Sequence, residues 1–406
     1  MGETGSTSIR LDDNYCGRCS ICSSICPYDA ISVDPATEEV KIDAETCQFC
    51  GLCYSACPVN AIEIAYYNQD SLQRAVKKAI DDGKADTLVL MCRGNSPPSC
   101  EIQEILQGKG DANYIPLRVP CVGRIPPEFT LKMLKLGISK IVALRCEEDF
   151  CRFKEGSRIN NQRFLLTKNV LEILGFPSET LEVIPYARRA VYDTEKCVGC
   201  DKCVFICPYD AIETQPLATP SIVMEKCVGC GACALVCPTM AMQLEGYQYE
   251  TVSHLVKRYG EAARELKEKG LSPLILIFCC QWAEFTTLDG YEKSLLDKRV
   301  AIMEVPCLKG FDPYNVVEAL QSGFDGVLAV VCSEDDCKLE KGYDVGERNT
   351  AVLGRVLERA GLQDRFALLT LSPRKIGEFQ EHLDEFIERI GSLPPLPLKP
   401  LKAYAR

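Results

Sequence analysis

Cysteine is the residue type best able to carry chemistry in this chain, accounting for 26 of its 406 residues. Sixteen cysteines form four runs spaced CxxCxxCxxxC, each followed directly by proline. A loop with cysteines at positions i, i+3 and i+6 can place three thiolates around one iron–sulfur cluster while its backbone N–H groups point at the sulfurs. The spacing therefore predicts four cluster sites. The runs are Cys16, Cys19, Cys22, Cys26; Cys47, Cys50, Cys53, Cys57; Cys197, Cys200, Cys203, Cys207; and Cys227, Cys230, Cys233, Cys237.

Structural zinc and disulfides are the alternatives for these runs. Zinc is typically held by two separated CxxC pairs and requires neither a third cysteine nor the following proline. Disulfides between cysteines three residues apart on one loop are sterically poor, and a reducing compartment would open them. Iron–sulfur clusters are therefore the favoured interpretation. Because every cluster finds four cysteines, no iron is left open for a substrate, and no catalytic residue is predicted.

The other ten cysteines form two sets of five. The last three members of each set share a spacing of 25 and then 5 residues. Spacing alone leaves open a second type of cluster, a zinc site or a redox-active pair of thiols. The sets are Cys92, Cys100, Cys121, Cys146, Cys151 and Cys279, Cys280, Cys307, Cys332, Cys337.

Both kinds of cysteine set belong to one internal repeat. Cys16 and Cys197 are 181 residues apart, and Cys121 and Cys307 are 186 residues apart. The string CPYDAI begins at Cys26 and again at Cys207. We therefore predict a tandem duplication of one two-module unit, split near residue 190. The predicted modules are 1–66, 67–190, 191–248 and 249–390, followed by an extended proline-rich tail, 391–406.

The larger modules must position the sets of five. They alternate apolar runs of strand length with helix-like stretches, a pattern typical of α/β parallel-sheet modules. The first, second and third strands of each predicted sheet are each followed within two residues by a cysteine of the set, and open parallel sheets bind ligands beyond the carboxyl ends of their strands. We therefore expect a cofactor at that edge. Strands are predicted at 87–91, 114–119, 138–144, 181–184, 274–278, 300–305, 326–331 and 366–371, and helices at 70–84, 101–107, 127–136, 163–174, 252–269, 314–322, 349–360 and 376–390.

Composition narrows the function classes. The net charge of −11 makes nucleic acid an unfavourable partner. The absence of an apolar run of 18 residues argues against a membrane span, and no secretory signal is evident, so we expect a cytoplasmic protein. No nucleotide-binding glycine motif and no HExxH zinc motif occurs. The two histidines, His254 and His382, lie far from the cysteine runs and are expected at the surface.

The four cysteine runs resemble those of a known family. Residues 12–65 and 193–246 resemble bacterial-type ferredoxin modules that carry two [4Fe–4S] clusters, and every run matches the spacing of that family. The resemblance implies an α+β ferredoxin-like fold with crossed ligation, in which each cluster takes its fourth cysteine from the partner run. The implied ligand sets are Cys16, Cys19, Cys22 with Cys57; Cys47, Cys50, Cys53 with Cys26; Cys197, Cys200, Cys203 with Cys237; and Cys227, Cys230, Cys233 with Cys207.

The larger modules resemble a second family. Residues 273–390 are similar to the delta subunit of methyl-viologen-reducing hydrogenase through FCCQW at 278–282, GFDGV at 323–327 and CSEDDC at 332–337. Residues 86–185 resemble it more faintly, through CVGR at 121–124 and CEEDFC at 146–151. The family implies a [2Fe–2S] cluster that passes electrons between a hydrogenase or formate dehydrogenase and the flavoprotein subunit of heterodisulfide reductase.

Departures from the sequence pattern of that family affect the assignment of the fourth cysteine ligand in each module. The family usually has Cys-x-Trp-Cys after the first strand, whereas here Ala283 replaces the second cysteine and Cys279 precedes Cys280. In the first half, no tryptophan follows Cys92. The predicted ligands are Cys92, Cys121, Cys146 and Cys151 in one module and Cys280, Cys307, Cys332 and Cys337 in the other, with Cys100 and Cys279 in reserve.

Together these features predict an electron-transfer subunit of a large anaerobic oxidoreductase complex, with four [4Fe–4S] and two [2Fe–2S] clusters. The implied partners are a hydrogenase or dehydrogenase and a flavin-containing heterodisulfide-reductase-like subunit, in a hetero-oligomeric complex. The alternative is a thiol or disulfide reductase subunit that uses Cys279 and Cys280 beside a cluster. In a third interpretation, the α/β modules are zinc-bound docking platforms.

Overall fold

The computed structural model divides into two compact units between Ala187 and Arg188. Each unit contains a small cysteine-rich region followed by a four-stranded parallel sheet with helices. None of the described helices is both long and apolar enough to cross a membrane. The structure describes residues 8–65, 67–83, 85–94, 97, 102, 105–106, 113–214, 219–281, 299–307, 314–337, 342–372 and 378–396.

Each cysteine-rich region combines two short antiparallel strand pairs with two helices of five residues. In every run the third cysteine lies inside a short helix and the fourth lies at its C-terminal cap. The residue before each helix has a left-handed backbone with a positive φ, so the loop turns sharply there. These turning residues are Ser20, Gly51, Asp201 and Gly231. The elements of the first region are β1 (Ile9–Leu11), α1 (Ile21–Ile25), β2 (Ile31–Val33), β3 (Val40–Ile42), α2 (Leu52–Ala56) and β4 (Ile62–Ile64).

The first sheet is entirely parallel, with strand order β6-β5-β7-β8. Its central strand β5 is buried at all six positions, which explains its continuous apolar sequence. The amphipathic helix α3 begins at an Asn68 cap, whose side chain accepts a 2.9 Å hydrogen bond from the Ser71 backbone nitrogen. The elements are α3 (Gln69–Asp81), β5 (Thr87–Cys92), β6 (Ile115–Val119), α4 (Pro127–Lys135), β7 (Lys140–Cys146), α5 (Gly156–Ile173) and β8 (Leu181–Tyr186).

The second unit has the same order of elements with one further helix at its end, and its sheet, β14-β13-β15-β16, is again parallel. Phe278, Val327 and Leu353 belong to its main core, between the sheet and its helices. The elements are β9 (Ala190–Tyr192), α6 (Lys202–Ile206), β10 (Ile212–Glu213), β11 (Ser221–Ile222), α7 (Ala232–Val236), β12 (Met242–Leu244), α8 (Tyr249–Glu268), β13 (Ile275–Cys280), β14 (Val300–Val305), α9 (Tyr314–Ser322), β15 (Gly326–Cys332), α10 (Gly342–Arg359), β16 (Phe366–Leu371) and α11 (Glu378–Ser392).

Several predicted boundaries were wrong. Helix α5 begins seven residues before its predicted start at residue 163, because polar residues of its first turns are paired inside the core. Ser157 donates to the Cys146 carbonyl at 2.9 Å, and Asn160 donates to the Val122 carbonyl at 3.3 Å. Helix α11 continues to Ser392, so the predicted tail loses its first two residues to the helix. Residues 397–406 of that tail and most of the predicted helix at 101–107 lie outside the described residues.

Candidate metal centres

In the second unit, two cavities coincide with the crossed cysteine sets. Each cavity is partly open to solvent. Both contain three cysteines of one run and the last cysteine of the partner run, as a cluster with four thiolate ligands requires. The first is lined by Cys197, Cys200, Cys203 and Cys237, and the second by Cys207, Cys227, Cys230 and Cys233.

In the first unit, the more buried group of cysteines also combines three cysteines of one run with the last cysteine of the other run. Burial raises the pKa of Cys50 to about 12, and the neighbouring charges of Cys47 and Cys26 add to the effect. Burial likewise raises the pKa of Cys53, with contributions from Cys50, Cys47 and Cys26. Cys26, from the other run, therefore lies among the three cysteines of the second run. Buried thiols with raised pKa values hold their protons until a metal displaces them, so cluster assembly would release protons.

The two sets of each region differ in their access to solvent. We call the sets built on the first and third runs the outer sets and those built on the second and fourth runs the inner sets. Cys19 and Cys200 of the outer sets are exposed, whereas the three run cysteines of each inner set are buried. The outer sets are therefore the ones a partner could approach, and the inner sets face the protein interior.

Backbone N–H groups point at several of these sulfurs. Ala61 N donates to Cys57 Sγ at 3.2 Å and Ala211 N donates to Cys207 Sγ at 3.4 Å. Met242 N donates to Cys237 Sγ at 3.4 Å. Such bonds stabilise thiolates and shift the reduction potential of a bound cluster.

A third cysteine set lies at the carboxyl edge of the first sheet. We call it the first sheet set: Cys92, Cys121, Cys146 and Cys151. Interactions with the Cys121 and Cys146 side chains lower the pKa of Cys92, and Cys121 interacts in turn with Cys151. The contacts thus run as a chain of four sulfurs. Among the described residues, no three His, Cys, Asp or Glu side chains are grouped as they would be around one metal ion.

The first sheet set also receives backbone donors. Val122 N donates to Cys92 Sγ at 3.2 Å, and Ser157 N donates to Cys151 Sγ at 3.3 Å. The hydrogen bond from Cys121, together with that of Ser157, lowers the pKa of Cys151 to about 6. The N-terminus of α5 lies beside these sulfurs, and its partial positive charge favours thiolates.

Gly156 makes this approach of helix and sulfurs possible. A Cβ atom at that position would lie 2.5 Å from Cys121 Sγ and 3.3 Å from Cys151 Sγ. A glycine is therefore needed to let the helix start pack against the two sulfurs. Gly342 begins α10 at the same 186-residue offset that relates Cys121 to Cys307.

The second sheet set consists of Cys280, Cys307, Cys332 and Cys337. Cys280 Sγ and Cys332 Sγ are 3.9 Å apart, and hydrogen bonds with Cys280 and Cys337, together with burial, raise the pKa of Cys332. Cys279 precedes Cys280 in β13, so its side chain points to the opposite face of the sheet. Its thiol donates to the Cys280 carbonyl at 3.3 Å. Cys100 and Trp282 lie outside the described residues.

In each unit the inner set and the sheet set come together at what we call the junction. In the second unit, Cys230 of the inner set and Cys307 of the sheet set share one apolar cluster with Ala232, and Tyr209 packs against it. Tyr28 occupies the corresponding position in the first unit, and its hydroxyl donates to the Arg152 carbonyl at 3.3 Å.

Two arginines contact residues of both regions at the first junction. Arg163 of α5 donates to Ser55 Oγ at 2.6 Å and to the Gly123 carbonyl at 2.5 Å, tying the cysteine-rich region to the sheet region. Arg124 is buried and lies against Gly51. The sequence analysis named Arg124 only as part of the CVGR string at 121–124, without a role of its own, and it named neither Arg163 nor Gly156. For Gly156, the offset that it shares with Gly342 is a signal that the sequence does contain.

Comparison with family models agrees with this division of the chain. The model "Methyl-viologen-reducing hydrogenase, delta subunit" matches residues 87–197 and 275–394. Models of 4Fe-4S dicluster domains match residues 15–61 and 190–244. The chain therefore contains ferredoxin-type dicluster domains, which support [4Fe–4S] clusters, and two regions of the delta-subunit type.

The relatives of the chain are components of redox complexes. The chain is 29% identical over 230 residues to one component of the ferredoxin:CoB-CoM heterodisulfide reductase of Methanosarcina mazei, covering 56% of this chain but only 28% of that protein. It is 29% identical over 126 residues to an iron-sulfur subunit of the F420-non-reducing hydrogenase of Archaeoglobus profundus, covering 30% of this chain and 92% of that protein. The corresponding iron-sulfur subunit from Methanococcus maripaludis is 26% identical over 130 residues, or 31% of this chain and 97% of that protein.

Proposed function

The chain belongs to the family of the methyl-viologen-reducing hydrogenase delta subunit, and from that membership we propose that it is an electron-transfer subunit of a complex of the heterodisulfide reductase or hydrogenase type. Its partners would be a hydrogenase or dehydrogenase and a flavin-containing subunit of the heterodisulfide reductase type. Cysteine runs that serve as metal ligands fit a reducing compartment such as the cytoplasm of an anaerobe. We further infer that the chain arose by tandem duplication of one two-module unit.

We propose that six cysteine sets hold clusters. The outer and inner sets would each hold a [4Fe–4S] cluster, and the two sheet sets would each hold a [2Fe–2S] cluster. When bound, such clusters accept and release single electrons. The chain's own contribution is to supply thiolates, to direct backbone N–H groups at the sulfurs and to exclude water from the inner and sheet sets.

The observation that carries this proposal is the junction in each unit. Cys230 and Cys307 share one buried apolar cluster, so two cofactor sites would stand close together without intervening solvent. The outer set of the same region contains an exposed cysteine, Cys200. Each unit therefore has the arrangement expected of a short electron relay that runs between an exposed end and a buried junction.

The alternative of a thiol or disulfide reductase is less well supported. Both Cys279 and Cys280 are 1% exposed, so a disulfide substrate could not reach either sulfur without an opening of the sheet edge. Cys280 is also engaged with Cys332, and the two members of the vicinal pair point to opposite faces of the sheet. A relay subunit needs no such access.

Iron and acid-labile sulfide analysis of the anaerobically purified full chain tests the proposal. Four [4Fe–4S] and two [2Fe–2S] clusters correspond to about 20 irons per chain, and fewer than about 16 would contradict the four larger clusters. About two zinc ions per chain, in place of the four irons of the two sheet sets, would support the docking-platform interpretation. Electron paramagnetic resonance (EPR) of the reduced chain should separate the two cluster types, and loss of one signal in a Cys121→Ser variant would identify the first sheet set.

A further inference from the structure

Arg124 is a buried cation between two cysteine sets. Its backbone nitrogen donates to the Cys121 carbonyl at 3.2 Å, which fixes the residue beside the first sheet set. Its guanidinium reaches the inner set of the same unit, because a Cβ atom built on Gly51 would lie 2.6 Å from Arg124 Cζ. Gly51 directly follows Cys50 and has a φ of +78°. The guanidinium thus occupies the space that a side chain would take beside an inner-set ligand.

The surroundings of Arg124 are mainly aromatic and sulfur-containing. Its Cζ lies 5.9 Å from the centre of the Tyr54 ring, and the residue is 3% exposed. Burial lowers its pKa, whereas Tyr54, Cys50 and Cys121 in their anionic forms oppose that shift. An arginine remains protonated in proteins, so the positive charge persists at this position.

A fixed positive charge beside an iron–sulfur cluster raises the electron affinity of that cluster. Reduction of an iron–sulfur cluster adds one electron and therefore one unit of negative charge to it. A nearby cation favours the more negative state, and it does so more strongly where water is excluded. The guanidinium keeps its proton throughout, so no proton transfer accompanies the step.

We propose that Arg124 is a redox-tuning residue, which raises the reduction potential of the two cofactor sites flanking the first junction and so retains the transferred electron there. This inference rests on the proposed electron-transfer function. A one-electron donor would reduce the junction, and the electron would leave to the next acceptor with Arg124 chemically unchanged.

The 186-residue offset of the sheet sets aligns Arg124 with Gly310, so the repeat does not carry the arginine. In the second unit, the described junction residues Cys230, Ala232 and Cys307 form an apolar cluster. The second unit has a different buried arginine near its inner set, Arg188, whose Cβ lies 3.2 Å from the position of a Cβ built on Gly229, so the tuning proposed for Arg124 concerns the first junction alone.

The test is an anaerobic potentiometric titration of the full chain, followed by EPR. The signals of the first junction are identified beforehand as those lost in Cys50→Ser and Cys121→Ser variants. In Arg124→Gln, we expect the reduced-to-oxidised ratio of these signals to fall about tenfold at a fixed potential, which for one electron is a shift of about 59 mV. Arg124→Lys keeps the charge and should restore most of that ratio.

Arg365→Gln is the matched control. Arg365 is also a buried arginine, and it donates to the Asp325 carbonyl at 2.8 Å. It directly precedes β16, at the end of the second sheet opposite to the cysteines. Removing this charge should leave the first-junction potentials unchanged.

A second variant keeps the proposal testable if Arg124→Gln does not fold. Gly51→Ala adds a methyl group that must displace the guanidinium while the arginine itself remains, and it should lower the same ratio. Unchanged potentials in the folded variants would overturn the tuning role. The absence of any iron–sulfur signal from the unmodified chain would instead refute the proposed function.

Discussion

Gly156→Ala tests the first sheet set most directly. The added Cβ would lie 2.5 Å from Cys121 Sγ, whereas ordinary contacts between heavy atoms begin at about 3.5 Å. One of the two groups must therefore move by about 1 Å, although a metal site tolerates only about 0.2 Å of error in its ligand distances. The overpacking itself costs about 1–3 kcal/mol, and part of this is offset by the better helix propensity of alanine.

We therefore expect Gly156→Ala to fold but to lose the cluster of the first sheet set. The assay is iron and sulfide content per chain, with EPR of the reduced protein and far-ultraviolet circular dichroism to confirm folding. About two irons should be lost if this set holds a [2Fe–2S] cluster.

Gly354→Ala is the control for that experiment. Gly354 is also helical, within α10, and a Cβ there would meet no atom within 4 Å. This variant should keep all its iron and gain up to about 1 kcal/mol of stability. Full iron content and unaltered EPR signals in Gly156→Ala would refute the assignment of Cys121 and Cys151 as joint ligands.

Three further predictions concern the ligand sets and the junction. Cys280→Ser should remove the cluster of the second sheet set, whereas Cys279→Ser should keep it. EPR of the two variants shows which of the two cysteines is the ligand. Cys26→Ser should abolish the same EPR signal as Cys50→Ser, and loss of a different signal would show that ligation is not crossed. Arg163→Ala should lower the free energy of unfolding by about 1–3 kcal/mol, because it removes two hydrogen bonds at the first junction. The exposed Lys168→Ala on the same helix should change stability little in the same denaturant titration.

Much of the fold could be predicted from local patterns. The continuous apolar runs of β5, β13 and β15 indicate buried parallel strands, and all three are buried throughout. His254 and His382 were expected at the surface, and both are exposed. The start of α5 could not be predicted, because its first turns carry polar side chains. These side chains find their carbonyl partners only when the core is packed.

The candidate sites also have some features that the sequence determines and others that only the tertiary structure determines. The sequence by itself determined the four cysteine runs and their repetition, because ligand spacing within one loop is a local property. Tertiary structure decided which of Cys279 and Cys280 faces the second sheet set, since that depends on the register of β13 against its neighbours. It also placed Arg124 against Gly51, 73 positions earlier in the chain. Contacts of that kind arise only when separate elements pack together, so they leave no local pattern in the sequence.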